Sequence, residues 1–154
     1  MNNPKVFISY SWHPEENKIR VEQLARRLMS DGVDVTIDVW RLKDGQDKYV
    51  FMKKMVTDTE INKVLIICNQ DYAEKADCRK GGVATESTIM SDEIYSKADQ
   101  TKFLPIVFEK GNDGTIYKPH FITTKILCTK GLMNSTCIQY IDEVYVYPKD
   151  YFVP

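Results

Sequence analysis

Val64-Leu65-Ile66-Ile67-Cys68, set between Asn62-Lys63 and Asn69-Gln70, is the stretch that decides the fold. An unbroken run of apolar, mostly branched side chains suits a strand covered on both faces, as in a parallel α/β sheet. After it, the polar stretch from Asn69 to Gly82 reads as a loop. Gly81-Gly82 permits a tight turn, and Val83, Met90 and Ile94 then begin a helical stripe. Glu86 falls in the first turns of that helix. Ligands of open α/β sheets gather beyond the carboxyl ends of the strands, so a carboxylate at this junction faces the expected crevice. A Glu near a helix N-terminus also complements the helix macrodipole, which is reason enough for its presence.

Working outward, Val6-Phe7-Ile8-Ser9-Tyr10 is a second buried strand, with Ser9, Tyr10 and Ser11 supplying hydroxyls and Trp12 a flat ring at its carboxyl end. From Pro14 to Ser30, Val21, Leu24, Ala25, Leu28 and Met29 follow helical spacing, and Pro14-Glu15-Glu16 suits a first turn. Asp31-Gly32 stops that helix. Val33, Val35, Ile37 and Val39 then alternate with Asp34, Thr36 and Asp38, which predicts an edge strand with one wet face. Trp40 to Gln46 reads as a loop, and a helix over about Asp47 to Thr59 buries Phe51, Met52, Met55 and Val56. Phe103 to Phe108 is a fourth apolar run, where Pro105 argues for a strand start or a bulge.

Strand and helix alternate throughout, so the expected fold is α/β: a flavodoxin-like, three-layer fold with a parallel sheet of order 2-1-3-4-5 and helices on both faces. Beyond Glu109 periodicity fades. Tyr140 to Tyr147 is rich in Tyr, Val and Ile and is the candidate fifth strand, with no amphipathic helix after it, so the C-terminal end reads as atypical. Residues 1–154 read as a single domain with its core in 5–108, and 109–154 as an atypical tail or an incomplete last strand and helix.

At 154 residues the chain can bury a core without metal or disulfide support. A formal charge of -1 provides no global field for nucleic acid or anionic lipid. The four cysteines form no CxxC pair, and the two histidines, His13 and His120, lie far apart, so no metal site is expected. The N-terminus has no apolar signal region and no run is long enough to cross a bilayer, which predicts a cytoplasmic protein with free thiols.

In a 2-1-3-4-5 sheet, Ser9 to Trp12, Trp40 to Gly45 and Asn69 to Glu86 surround one crevice at the carboxyl edge. A phosphoacceptor response regulator needs acidic residues after strand one and an Asp ending strand three; here those places read Ser9-Tyr10-Ser11 and Cys68-Asn69. A flavodoxin needs a glycine- and hydroxyl-rich phosphate loop, which Ser11-Trp12-His13-Pro14 does not resemble.

Val6 to Ser11, then Trp40-Arg41-Leu42-Lys43-Asp44-Gly45, then Lys80-Gly81-Gly82-Val83-Ala84-Thr85-Glu86 together resemble the SEFIR branch of the TIR-like domains, especially bacterial members. The resemblance covers roughly Lys5 to Phe108 and departs from the family past about Thr123. It implies two functions. Many bacterial TIR domains cleave NAD between nicotinamide and ribose with one catalytic Glu on the helix after strand three, and Glu86 matches that position. NAD is then a substrate, and no resident cofactor is needed. Tyr10, Trp12 and Trp40 would stack on rings, Ser9 and Ser11 would line the crevice, and Arg41, Lys43, Arg79 and Lys80 would meet the pyrophosphate. Nicotinamide leaves as a neutral group, so one carboxylate suffices where an ordinary glycoside also needs a general acid.

The second implied function is recognition. SEFIR and TIR domains of animal signalling are homotypic interaction modules, and Trp40 to Gly45 (Trp40, Arg41, Leu42, Lys43, Asp44, Gly45) matches a loop that often forms the contact. The resemblance implies self-association as the partner mode, with a downstream sensor domain or partner protein as trigger in a bacterial signalling or defence protein, and no nucleic-acid or membrane contact. A nucleoside deoxyribosyltransferase-like activity is a third possibility, without visible motifs.

Overall fold

The computed structural model describes residues 3–41, 48–78, 89–90, 92–97, 102–107, 113, 115–122 and 127–128. In chain order these give β1 (Lys5–Ser9), α1 (Glu15–Ser30), β2 (Asp34–Thr36), α2 (Asp38–Arg41), α3 (Lys48–Thr57), β3 (Lys63–Ile67), α4 (Gln70–Cys78), α5 (Asp92–Lys97), β4 (Phe103–Val107) and β5 (Leu127–Cys128). The five strands form one sheet in the order β2-β1-β3-β4-β5, every pairing parallel. This is the expected flavodoxin-like order, with β2 at the edge.

Strand alternation sends the core to both faces. Val6 and Ile8 of β1 join Leu65 and Ile67 of β3 against Val21, Leu24, Ala25 and Leu28 of α1. Phe7, Val64 and Ile66 point the other way, into a cluster with Phe51, Met52 and Val56 of α3 and Tyr72 and Ala76 of α4. Both faces of β1 and β3 are therefore covered, as their continuous apolar sequences require. Full burial of each such side chain contributes about 1.5–3 kcal/mol.

The helix α1 ends in a Schellman turn: Val33 N–H donates to Leu28 O at 3.0 Å and Gly32 N–H to Met29 O at 3.1 Å. Gly32 has φ 94°, a conformation that glycine adopts without a Cβ penalty. The turn delivers the chain directly into β2.

Several expectations are corrected; Met90, expected on the stripe of the helix that carries Glu86, instead precedes α5, which starts at Asp92. The stretch from Asn69 is not a continuous loop, because Gln70–Cys78 forms α4. Its start is capped by Asn69, whose Oδ1 accepts from Tyr72 N–H at 2.8 Å. The β2 alternation breaks after Thr36: Asp38 opens the short α2 and is 0% exposed instead of facing water, and Trp40 and Arg41 belong to that helix and not to a loop. Pro105 lies within β4, aligned with Ile66 of β3. It is tolerated there because β5 reaches only Ile106 and Val107, leaving that flank of Pro105 without a β5 partner among the described residues. The fifth sheet position is taken by Leu127–Cys128, not by Tyr140 to Tyr147, which lie outside the described residues.

No helix among the described residues is long and apolar enough to cross a membrane. Among them, too, no cluster of His, Cys, Asp and Glu could hold a metal ion.

Candidate functional site

Because β1 and β3 are parallel neighbours, the residues that follow them meet at one edge of the sheet. There the hydroxyls of Ser9 and Tyr72 lie 2.8 Å apart, and Tyr72 Oη accepts from Met90 N–H at 2.9 Å. Ser11 Oγ donates to an Asp71 carboxylate oxygen, which also pairs with Lys75 Nζ at 3.1 Å. Asn17 of α1 donates from Nδ2 to Ser11 O at 2.7 Å, and Asn69 Nδ2 reaches His13 O at 3.2 Å. The β1–α1 loop, which carries a cis His13–Pro14 bond, is thus tied to the start of α4 on one side and to α1 on the other.

Ser9, Tyr10 and Ser11 are each 0% exposed. Their polar groups face inward: Ser9 and Ser11 bind α4, and the Tyr10 hydroxyl is buried beside Asp38 and Trp12. Burial, then the charge and hydrogen bonding of Asp38 and the charge of Glu22, raises the Tyr10 phenol far above its ordinary value. Trp12 is half-buried; its Nε1 donates to Asp38 Oδ2 at 3.0 Å, and Lys18 Nζ lies 5.1 Å from its ring centroid. The buried Asp38 carboxylate therefore receives a donor from a residue 26 positions away and links α2 to the β1–α1 loop.

Trp40 stands apart from this interior. It is 39% exposed on α2, with the Arg26 guanidinium of α1 at 5.9 Å from its ring centroid. Arg26, Met29 and Trp40 line a surface groove of 450 Å³. A second groove, of 630 Å³, runs along Gly32, Val33, Asp34 and Val35 toward the amino edge of the sheet, and Met29 forms a wall of both. Arg41 closes α2. Leu42, Lys43, Asp44, Gly45, Arg79, Lys80 and Glu86 lie outside the described residues.

The structure brings Ser9, Ser11 and Trp12 together with residues that sequence patterns did not single out: Asn17, Asp38, Asn69, Asp71 and Tyr72. Asn69 followed by Asp71 in a first turn is a readable helix-start signal. The pairings of Ser11 with Asp71 and of Trp12 with Asp38 are long-range and leave no local pattern.

Residues 4–129 match the family model of the SEFIR domain. Among solved structures, one described as the crystal structure of a prokaryotic SEFIR domain is similar with a TM-score of 0.69 and 42% sequence identity, covering 79% of this chain and 78% of that chain. No curated protein matches.

Proposed function

The chain belongs to the SEFIR domain family, and from that premise we propose that it is a homotypic interaction module of TIR-like signalling, self-associating through the surface around Trp40. One observation carries this reading: an indole 39% exposed, backed by the Arg26 guanidinium and bordered by Met29, itself 50% exposed. Trp and Arg are the residues in which interface energy concentrates. A large ring held against a cation loses little freedom when a partner covers it. In this role Trp40→Ala weakens self-association measured by light scattering and leaves the circular dichroism spectrum unchanged. Equal association of parent and variant removes Trp40 from the contact.

A second reading, NAD glycohydrolase, is supported by Glu86, which matches the position of the single catalytic Glu of bacterial TIR enzymes. It also draws on one structural tie: Met90, four residues beyond Glu86, is bound to Tyr72 at the carboxyl edge. In this reading Glu86 supports the positive charge that develops on the ribose as nicotinamide departs with the bonding electrons, and water completes the ADP-ribose product. Concentrated protein incubated with NAD would release nicotinamide, and Glu86→Ala would not. Release by both proteins removes Glu86 from the chemistry, and release by neither leaves the interaction module as the function.

A further inference from the structure

On the outer side of α1, Ile19, Glu22, Arg26 and Met29 follow one another at intervals of three, four and three residues. That is the spacing of a helix seam made to pack on another helix. The inner side of α1 is already occupied by Val21, Leu24, Ala25 and Leu28. The outer apolar residues contribute nothing to that core: Ile19 and Met29 are each 50% exposed.

The charges between them are also distinctive. Of the other opposite charges four residues apart along α1 and its C-cap, Glu16 and Arg20 close at 2.7 Å and Arg27 and Asp31 at 3.2 Å, while Lys18, four residues before Glu22, lies over the Trp12 ring. Glu22 and Arg26 have the same spacing and do not pair. Arg26 lies over the Trp40 ring instead, and Glu22 meets no cation among the described residues.

We infer that this face is one half of a two-fold symmetric contact, in which α1 packs antiparallel on α1 of a second copy of the chain. In an antiparallel pair, opposed residues have numbers that add to a constant. A constant of 48 sets Ile19 on Met29 of the second copy and Glu22 on Arg26 of the second copy, and the two-fold repeats both contacts. The sequence is thus self-complementary in shape class and charge, as an isologous interface requires. Trp40, held beside Arg26, widens the seam at each end. One helix and one ring per copy make a small interface, below roughly 1,200 Å² in total, so the dimer is weak and responds to concentration. Its salt sensitivity follows from the paired charges. This pairing rests on the homotypic role proposed above and specifies its geometry.

The test is a charge exchange followed by sedimentation velocity over a range of protein concentrations. E22R sets two guanidinium groups against each other across the two-fold, and R26E places two carboxylates together; each variant should raise the dimer dissociation constant at least tenfold with the circular dichroism spectrum unchanged. The double variant E22R/R26E restores opposite charges across the two-fold and should recover association. An equimolar mixture of the two single variants should likewise associate, because each supplies the sign the other lacks. Recovery in the double variant, which has no guanidinium at position 26 to cover Trp40, separates charge pairing from the ring contact. If the parent associates and the single variants match it, or if the double variant is as weak as the singles, the α1 pairing is wrong while the homotypic role stands. A parent that remains monomeric at every concentration overturns both.

Discussion

Ser9 and Tyr72, 63 positions apart in the chain, join their hydroxyls at 2.8 Å inside the core, and the same Tyr72 oxygen receives the N–H of Met90 at 2.9 Å. One phenol thus connects β1, α4 and the segment leading to α5. Tyr72→Phe keeps the ring and leaves the buried Met90 N–H without its acceptor. An unsatisfied buried donor costs about 1–3 kcal/mol, and urea unfolding of the variant should show a loss of that size with an unchanged slope.

Tyr10 makes stability fall on the alkaline side. Its phenol, raised by burial and by the charge of Asp38, keeps its proton in the folded protein well past the pH at which the unfolded chain loses it, near 10. Above that pH the folded state binds more protons than the unfolded one, so stability decreases as pH rises and is fully present below it. Tyr10→Phe removes the ionisation together with the buried hydroxyl beside Asp38. Unfolding measured from pH 7 to 11 should show a flatter decline above 10 in the variant than in the parent.

Lys102 caps a helix from outside. Its Nζ donates to Val56 O at 2.8 Å and to Asp58 O at 2.6 Å, at the end of α3 where carbonyls lack helical partners. The ammonium also meets the negative end of the helix dipole. Lys102→Met should cost about 1–2 kcal/mol, whereas Lys53→Met on the exposed side of the same helix should change stability by less than about 0.5 kcal/mol. Equal effects in thermal unfolding would deny the cap its role.

Cys68 and Cys78 should react at different rates. Burial pushes the Cys68 thiol up to about 12, with Lys118 acting weakly against it, while Cys78 is exposed. The reactive species is the thiolate. Alkylation by iodoacetamide at pH 8, followed by peptide mass spectrometry, should modify Cys78 promptly and Cys68 only on unfolding.

The parts of the fold legible in the sequence are those where apolar side chains dominate their segment. β1, β3 and β4 are runs with few polar interruptions, and α1 carries its buried residues at helical spacing over 16 residues. α4 escaped notice because its buried side is built from Tyr72, Ala73 and Ala76, and two alanines barely mark a stripe in a segment otherwise rich in charge. β5 is two residues long, too short to carry any period. Asp38 continued the alternation of β2 in sequence, yet the chain turns before it, and its carboxylate is satisfied by an indole that no local pattern could connect to it. At the candidate site, Trp40 drew attention as an aromatic beside Arg41. Its actual cover, Arg26, sits on a helix whose sequence advertises mainly the inward face. Glu86, marked by its place after the central strand and by its resemblance to a catalytic position, lies outside the described residues.

The margins of the sheet are short. β2 offers three residues at one side and β5 two at the other. A row of free backbone amides templates another chain only when it is long and flat enough to hold a register. Neither margin offers such a row along the described strands, so β2 and β5 as described give little foothold for growth by adding strands. The proposed meeting of copies through side chains on helices would be a kind of contact that dilution and salt can undo.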